Sequence, residues 1–183
     1  RARVREVLAR MARDQMVELF PQRGAFVAKP SIEQALDVFE ARRLIEPGIV
    51  RRLVLNMDNS KIRRLQAHLK QERDARANSD KRATVRLSGE FHVLLAELAG
   101  NSALLRSMRE LSTLTCLTIS LYESAVNTCC LVDEHEAVVD AIVAGNGELA
   151  EQLMLSHLDH IQGSLRLEAD ADDADLEQIL GDL

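Results

Sequence analysis

The chain has 183 residues and a formal net charge of −6, with 46% hydrophobic, 28% charged and 3% aromatic residues. That length supports one good core, or one domain with a piece of another, and no apolar run approaches the ~20 residues a membrane span needs. The start, RARVREVLAR, is basic and amphipathic without a secretory apolar stretch, and three cysteines are too few for a disulfide framework, which suits a reducing cytosol.

Charge is unevenly spread. Residues 1–28 hold six arginines against Glu6, Asp14 and Glu18, a net of +3 that leaves −9 for the remainder. A small basic end on an acidic body suggests a polyanion-binding tip attached to something else.

VREVLARMARD (4–14) places apolar residues at 4, 7, 8, 11 and 12, which is helical spacing. VELF (17–20), PQRG (21–24) and AFVA (25–28) then read as strand, turn and strand. Ser31-x-x-Gln34 is a capping box that opens a helix over about 32–55, and Pro47 inside it should kink it or divide it in two. Asp58 or Asn59 caps a helix over about 60–78, and Asp80 caps one over about 80–99 that Gly100-Asn101 ends. Further helices are expected over about 102–122, 131–144 and 147–166. Connections are short, so neighbours should pack antiparallel as a bundle. From Glu168 to Leu183 there are seven acids and no base, and LEQIL (176–180) is the one stretch there suited to a last turn.

Three of the five histidines fall on apolar faces. His92 lines up with Val85, Ser88, Leu95 and Ala99; His135 with Leu131, Val132, Val138, Val139 and Ile142; His157 with Ala150, Leu153, Met154 and Ile161. His68 and His160 lie nearer polar faces. A single inward histidine is ordinarily a satisfied core residue. Three from separate helices also make a neutral imidazole set of the kind that holds zinc-like ions in bundle cores, and spacing alone does not show that they converge. Arg42 and Glu46, an i,i+4 pair, sit beside Phe39, Leu44, Ile45 and Ile49, so Arg42 faces either the surface or the interior; an inward arginine binds carboxylates. The vicinal Cys129-Cys130 reads as a reduced loop pair, with soft-metal or redox chemistry the alternative. Arg1, Arg3 and Arg5 at the start of the first helix, and Arg23-Gly24 at the hairpin tip, suit a winged-helix arrangement of base and phosphate contacts as well as they suit a solvated basic helix.

The ordered set of segments resembles the GntR family of bacterial transcription regulators, in the FadR-like subfamily with an all-helical FCD effector domain. RARVREVLARMARDQMVELFPQRGAFVA is similar to the second half of the family's winged helix, and FEARRLIEP to the Arg-x-x-x-Glu segment opening the effector domain. FHVLLAELAGN, DEHEAVVDAIVAGN and MLSHLDHI resemble its three histidine-bearing segments, in order. The resemblance covers nearly the whole chain. It implies a mostly α fold: an antiparallel bundle of about six to seven helices behind a partial winged helix-turn-helix, of which the helices before the recognition helix lie outside this sequence. The implied organisation is a DNA-binding part over 1–29, an effector-binding and dimerisation domain over 30–167, and an acidic tail over 168–183.

By the same resemblance, Arg1, Ala2, Arg3, Arg5, Arg23 and Gly24 contact operator DNA. His92, His135 and His157 hold a divalent transition metal, zinc or nickel. Arg42, Ser88 and the three histidines meet a small organic acid effector. The family places an aspartate where this chain has Ser88, one turn before His92. A hydroxyl is a poor ligand and removes a negative charge, so the expected centre has three histidines, completed by water or an effector carboxylate. The expected protein is a cytoplasmic, ligand-responsive DNA-binding homodimer on a pseudo-palindromic site. The alternatives are a metal-dependent, hydrolase-like helical enzyme, for which no HExxH, phosphate loop or G-x-S-x-G is present, and a plain helical dimerisation module.

Overall fold

The computed structural model describes residues 2–13, 15–122 and 132–165; Arg1, Cys129-Cys130 and the acidic stretch from Glu168 lie outside them. In chain order the described elements are α1 (Ala2–Arg13), β1 (Val17–Phe20), β2 (Gly24–Val27), α2 (Ile32–Leu55), α3 (Asn59–Ala77), α4 (Lys81–Leu98), α5 (Ser102–Tyr122), α6 (Val132–Val143) and α7 (Gly147–Ser164). The fold is mostly α, with a single two-stranded antiparallel sheet among the described residues. None of these helices is long and apolar enough to cross a membrane.

The hairpin pairs Val17 with Val27 and Phe20 with Gly24. Gly24 turns the chain at φ +101°, a backbone region that other side chains rarely tolerate. Phe20 and Phe26 meet edge to face at 5.5 Å, and the Arg23 guanidinium lies 5.8 and 5.7 Å from the two rings. Arg23 is therefore braced at the exposed tip by its own hairpin.

Helix starts follow local chemistry. Ser31 and Gln34 exchange side-chain and backbone hydrogen bonds at 3.1 and 2.8 Å, the capping box expected for α2. Asp58 accepts from the Ser60 and Lys61 amides, Asp80 from Ala83, and Asn146 from Leu149. Gly145, at φ +75°, closes α6, where the Asn146 amide donates back to the Ala141 carbonyl at 2.9 Å. Pro47 does not divide α2, which runs unbroken from Ile32 to Leu55. Phe39 on one side and Ile49, Val50 and Leu53 on the other are anchored in apolar clusters, which hold the helix across the missing amide bond.

The interior is divided in two. A large apolar cluster gathers Ile49, Leu53, Leu65, Phe91, Leu95, Met108, Ile142, Met154 and Leu158. A small one gathers Phe39, Ile119, Ile161 and Leu165, with Val85 and Tyr122 against it. Between them in helix order lie the buried polar side chains Arg42 and Glu46 on α2, Ser88 and His92 on α4, Ser112 and Thr115 on α5, and His157 on α7. The Tyr122 hydroxyl at the end of α5 donates to the Pro30 carbonyl at 2.7 Å, just where the hairpin gives way to the bundle.

One sequence expectation is corrected. His68 does not occupy a polar face: it is 8% exposed, because a backbone carbonyl and a buried carboxylate satisfy its ring inside the bundle. His160 is 65% exposed, on the polar side of α7.

Candidate metal centre

Three helices each deliver one imidazole to the same point. The Nε2 atoms of His135 and His157 lie 3.1 Å apart, and those of His157 and His92 lie 3.3 Å apart. All three rings are 2% exposed or less. Among the described residues these histidines form the group whose ligand atoms lie within 4.8 Å of one another. Apolar spacing on α4, α6 and α7 brings them inward; ring packing sets their planes. Phe91 stacks on His135 at 4.0 Å and 17°, and meets His92 edge to face at 5.4 Å.

The opposite nitrogen of each ring faces a glutamate. His92 Nδ1 lies 2.6 Å from Glu46 Oε2, His157 Nδ1 lies 2.8 Å from Glu134 Oε2, and His135 Nδ1 lies 3.0 Å from both oxygens of Glu72. An ionised carboxylate only accepts, so each Nδ1 carries the proton and donates it. In a neutral ring so held, Nε2 is left with its lone pair, and the three Nε2 atoms point at one another. Neutral nitrogens at 3.1–3.3 Å repel unless a cation lies among them. Ligand edges of a tetrahedral zinc site are about 3.3–3.4 Å long, given zinc–nitrogen bonds of about 2.0–2.1 Å. The donor set therefore fits a divalent transition metal, with carboxylates fixing tautomer and orientation from behind.

The ionisation states agree. Burial holds the His92 ring down at about 3, with the Arg42 charge adding to the effect against Glu46. Burial likewise holds His157 down at about 4, with Glu134 opposing. Both rings are neutral near pH 7, as a ligand must be. Burial alone would raise the Glu46 carboxyl, but Arg42 and His92 hold it down at about 2. The same contest at Glu72 is won by the hydrogen bond from His135, with His68 nearby adding to it, again at about 2.

Arg42 is 1% exposed, so the inward alternative holds. Its Nε donates to Glu46 Oε1 at 2.5 Å and its Nη1 to Thr115 Oγ1 at 3.1 Å. Its Nη2 is buried with no hydrogen-bond partner, as is Ser112 Oγ, one turn before Thr115 on α5. Ser88 is buried one turn before His92. Periodicity brought out the histidines, Arg42 and Ser88. It did not bring out Glu72 and Glu134, nor Ser112 and Thr115, because a lone acid or hydroxyl on a helix face carries no signal of what it meets in space. The i,i+4 spacing of His68 and Glu72 was the one available hint.

Of the residues expected at DNA, Ala2, Arg3 and Arg5 lie exposed along the start of α1, and Arg23 and Gly24 lie exposed at the hairpin tip. None of them belongs to the histidine cluster.

The family model described as the FCD domain matches residues 37–160, more than half of the chain. The chain belongs to the FCD-domain transcription regulators of the GntR type. The HTH-type transcriptional repressor RspR of Escherichia coli K12 is 26% identical, over 89% of this chain and 72% of its own length. The HTH-type transcriptional regulator LutR of Bacillus subtilis is 25% identical, over 90% of this chain and 84% of its own. A Rhodococcus sp. RHA1 protein assigned to the GntR regulators superposes with a TM-score of 0.75 at 24% identity, covering 89% of this chain and 80% of its own. E. coli McbR/YncC superposes with a TM-score of 0.74 at 16% identity, covering 87% and 81%. At these identities the two structures support the fold. This FCD regulator is thus a transcription regulator with a helical FCD domain behind a partial wing, and DNA is the partner that its type implies.

Proposed function

We propose that this regulator works in the cytoplasm as a homodimer that binds a small organic acid in the polar layer of its bundle and thereby changes its hold on operator DNA. It acts by binding rather than by catalysis. The observation that carries the reading is a convergence: three histidine Nε2 atoms meet at one point, beside a buried guanidinium nitrogen and a buried hydroxyl without partners. His92, His135 and His157 would hold a divalent ion, zinc or nickel, whose charge attracts an anion. Arg42 Nη2 donates to that anion's carboxylate, Ser112 offers the hydroxyl that has no partner within the protein, and Ser88 adds a buried polar group one turn before His92. With three neutral ligands and no aspartate, the anion is also what neutralises the centre.

The effect reaches DNA through two helices. Arg42 lies on α2, which begins immediately after the wing, and its partner Thr115 lies on α5, whose last residue Tyr122 is bonded to Pro30. An anion that repositions Arg42 therefore acts on both struts that set the angle of the wing. Arg3, Arg5 and Arg23 contribute phosphate and base contacts, and affinity for DNA should fall steeply with salt.

The test is metal analysis of the purified protein, then thermal shifts with organic acids in the presence and absence of a chelator. Acid-dependent stabilisation that the chelator removes is expected, and His135→Ala should abolish it. Identical melting under all conditions would favour a plain helical dimerisation module.

A further inference from the structure

The three glutamates behind the histidines are themselves held. Glu46 is bonded to Arg42, Glu134 to His160, and Glu72 faces His68, whose Nε2 lies 3.5 Å from Glu72 Oε1. Two of these outer bases differ sharply in setting. His160 is 65% exposed where it meets Glu134, whereas His68 is 8% exposed and its Nε2 meets a second acceptor. Its Nε2–H donates to the Leu87 carbonyl of α4 at 2.9 Å. Leu87 directly precedes Ser88 and lies just over one turn before His92. Phe91, between them on the same helix, stacks on His135 and lies 6.1 Å from the His68 ring.

Glu72 needs such a clamp. Both of its oxygens sit 3.0 Å from His135 Nδ1, a symmetric arrangement that leaves the carboxylate free to rock about that one donor. The same His68 Nε2 lies 3.5 Å from Oε1 and 2.9 Å from the Leu87 carbonyl, so its one N–H points mainly at the helix carrying another ligand while its edge faces a single oxygen of Glu72. We propose that His68 is a positioning residue of the histidine centre, orienting His135 through Glu72 and keying α3 to α4. This rests on the reading of His92, His135 and His157 as a metal site. A histidine serving only to fill the core would satisfy the Leu87 carbonyl and have no bearing on the ion.

The two roles separate by experiment. The full chain and its His68→Leu and His68→Gln variants are titrated with Co²⁺ under chelator competition, and their visible absorption spectra and metal-free melting are recorded. His68→Leu should weaken Co²⁺ binding by about tenfold, the low end for loss of an outer-shell partner, and shift the Co²⁺ bands. His68→Gln keeps an N–H for the Leu87 carbonyl and should weaken binding less, with a smaller shift. Should the leucine variant fail to fold, the glutamine variant decides. Unaltered affinity and spectrum in a folded variant, whatever its melting temperature, overturn the proposal alone. Failure of the unaltered chain to bind Co²⁺ overturns the metal reading itself.

Discussion

Ser88 differs from an aspartate by one charge, and the polar layer amplifies the difference. The centre has three neutral donors, so an ion placed there keeps its full positive charge at 2% exposure or less. Ser88→Asp should tighten zinc binding by roughly tenfold or more in chelator-competition titrations, by restoring an anionic ligand. The same substitution should lower the melting temperature of the metal-free protein, since a carboxylate would then be buried without its ion. Unchanged zinc affinity would argue against a metal at the histidines. At this scale, the sequence carried the identity of the converging rings, because one-turn periodicity marks the inward face of a helix. It could not carry their tautomers. Those depend on Glu46, Glu72 and Glu134, and all three sit on a different helix from the ring they face, 46, 63 and 23 residues away in the chain. His68 was misplaced for a related reason: its partner is a backbone carbonyl, which leaves no trace in a pattern of side chains.

Helix packing was more legible than site chemistry. Caps at Ser31, Asp58, Asp80 and Asn146, with glycines closing α4 and α6, set boundaries that the amino-acid pattern already implied. Of the two outcomes expected at Pro47, division of α2 does not occur, since tertiary anchoring on both flanks outweighs one lost amide bond. What periodicity could not show is how closely two helices approach. At Gly89 on α4, an added Cβ would lie 2.5 Å from Cys116 Sγ on α5. Gly89→Ala should therefore cost about 1–3 kcal/mol in urea unfolding, as overpacking does. Combining it with Cys116→Ala should recover most of that loss, a coupling that a double-mutant cycle reads directly. Additive losses would mean that the helices yield elsewhere.

Across the whole molecule, the metal-free chain should be acid-sensitive in a defined window. His92 and His157 are held below their ordinary 6.5, at about 3 and about 4. Below pH 6.5 the unfolded chain takes up protons that the fold refuses, so stability falls as pH drops towards about 4, by roughly 1 kcal/mol per pH unit for each ring. Glu46 and Glu72, held at about 2, add their own loss from about pH 4.5 downward. Urea unfolding across pH 4–7 checks this, and a flat profile between 6.5 and 4.5 would contradict it.

The seam of polar side chains between the two apolar clusters has a further consequence, for cooperativity. The small cluster, around Phe39, Ile119 and Ile161, lies on the wing side and has few members to keep it closed. In the protein free of ion and anion it should open while the larger cluster stays shut, as a separate foldon. Amide hydrogens over 35–41 and 117–121 should then exchange faster than those over 49–54 and 91–98. An ion and its anion, bound across the seam, would fuse the two units into one. Their binding would be felt at the wing as a loss of independence between the halves of the bundle.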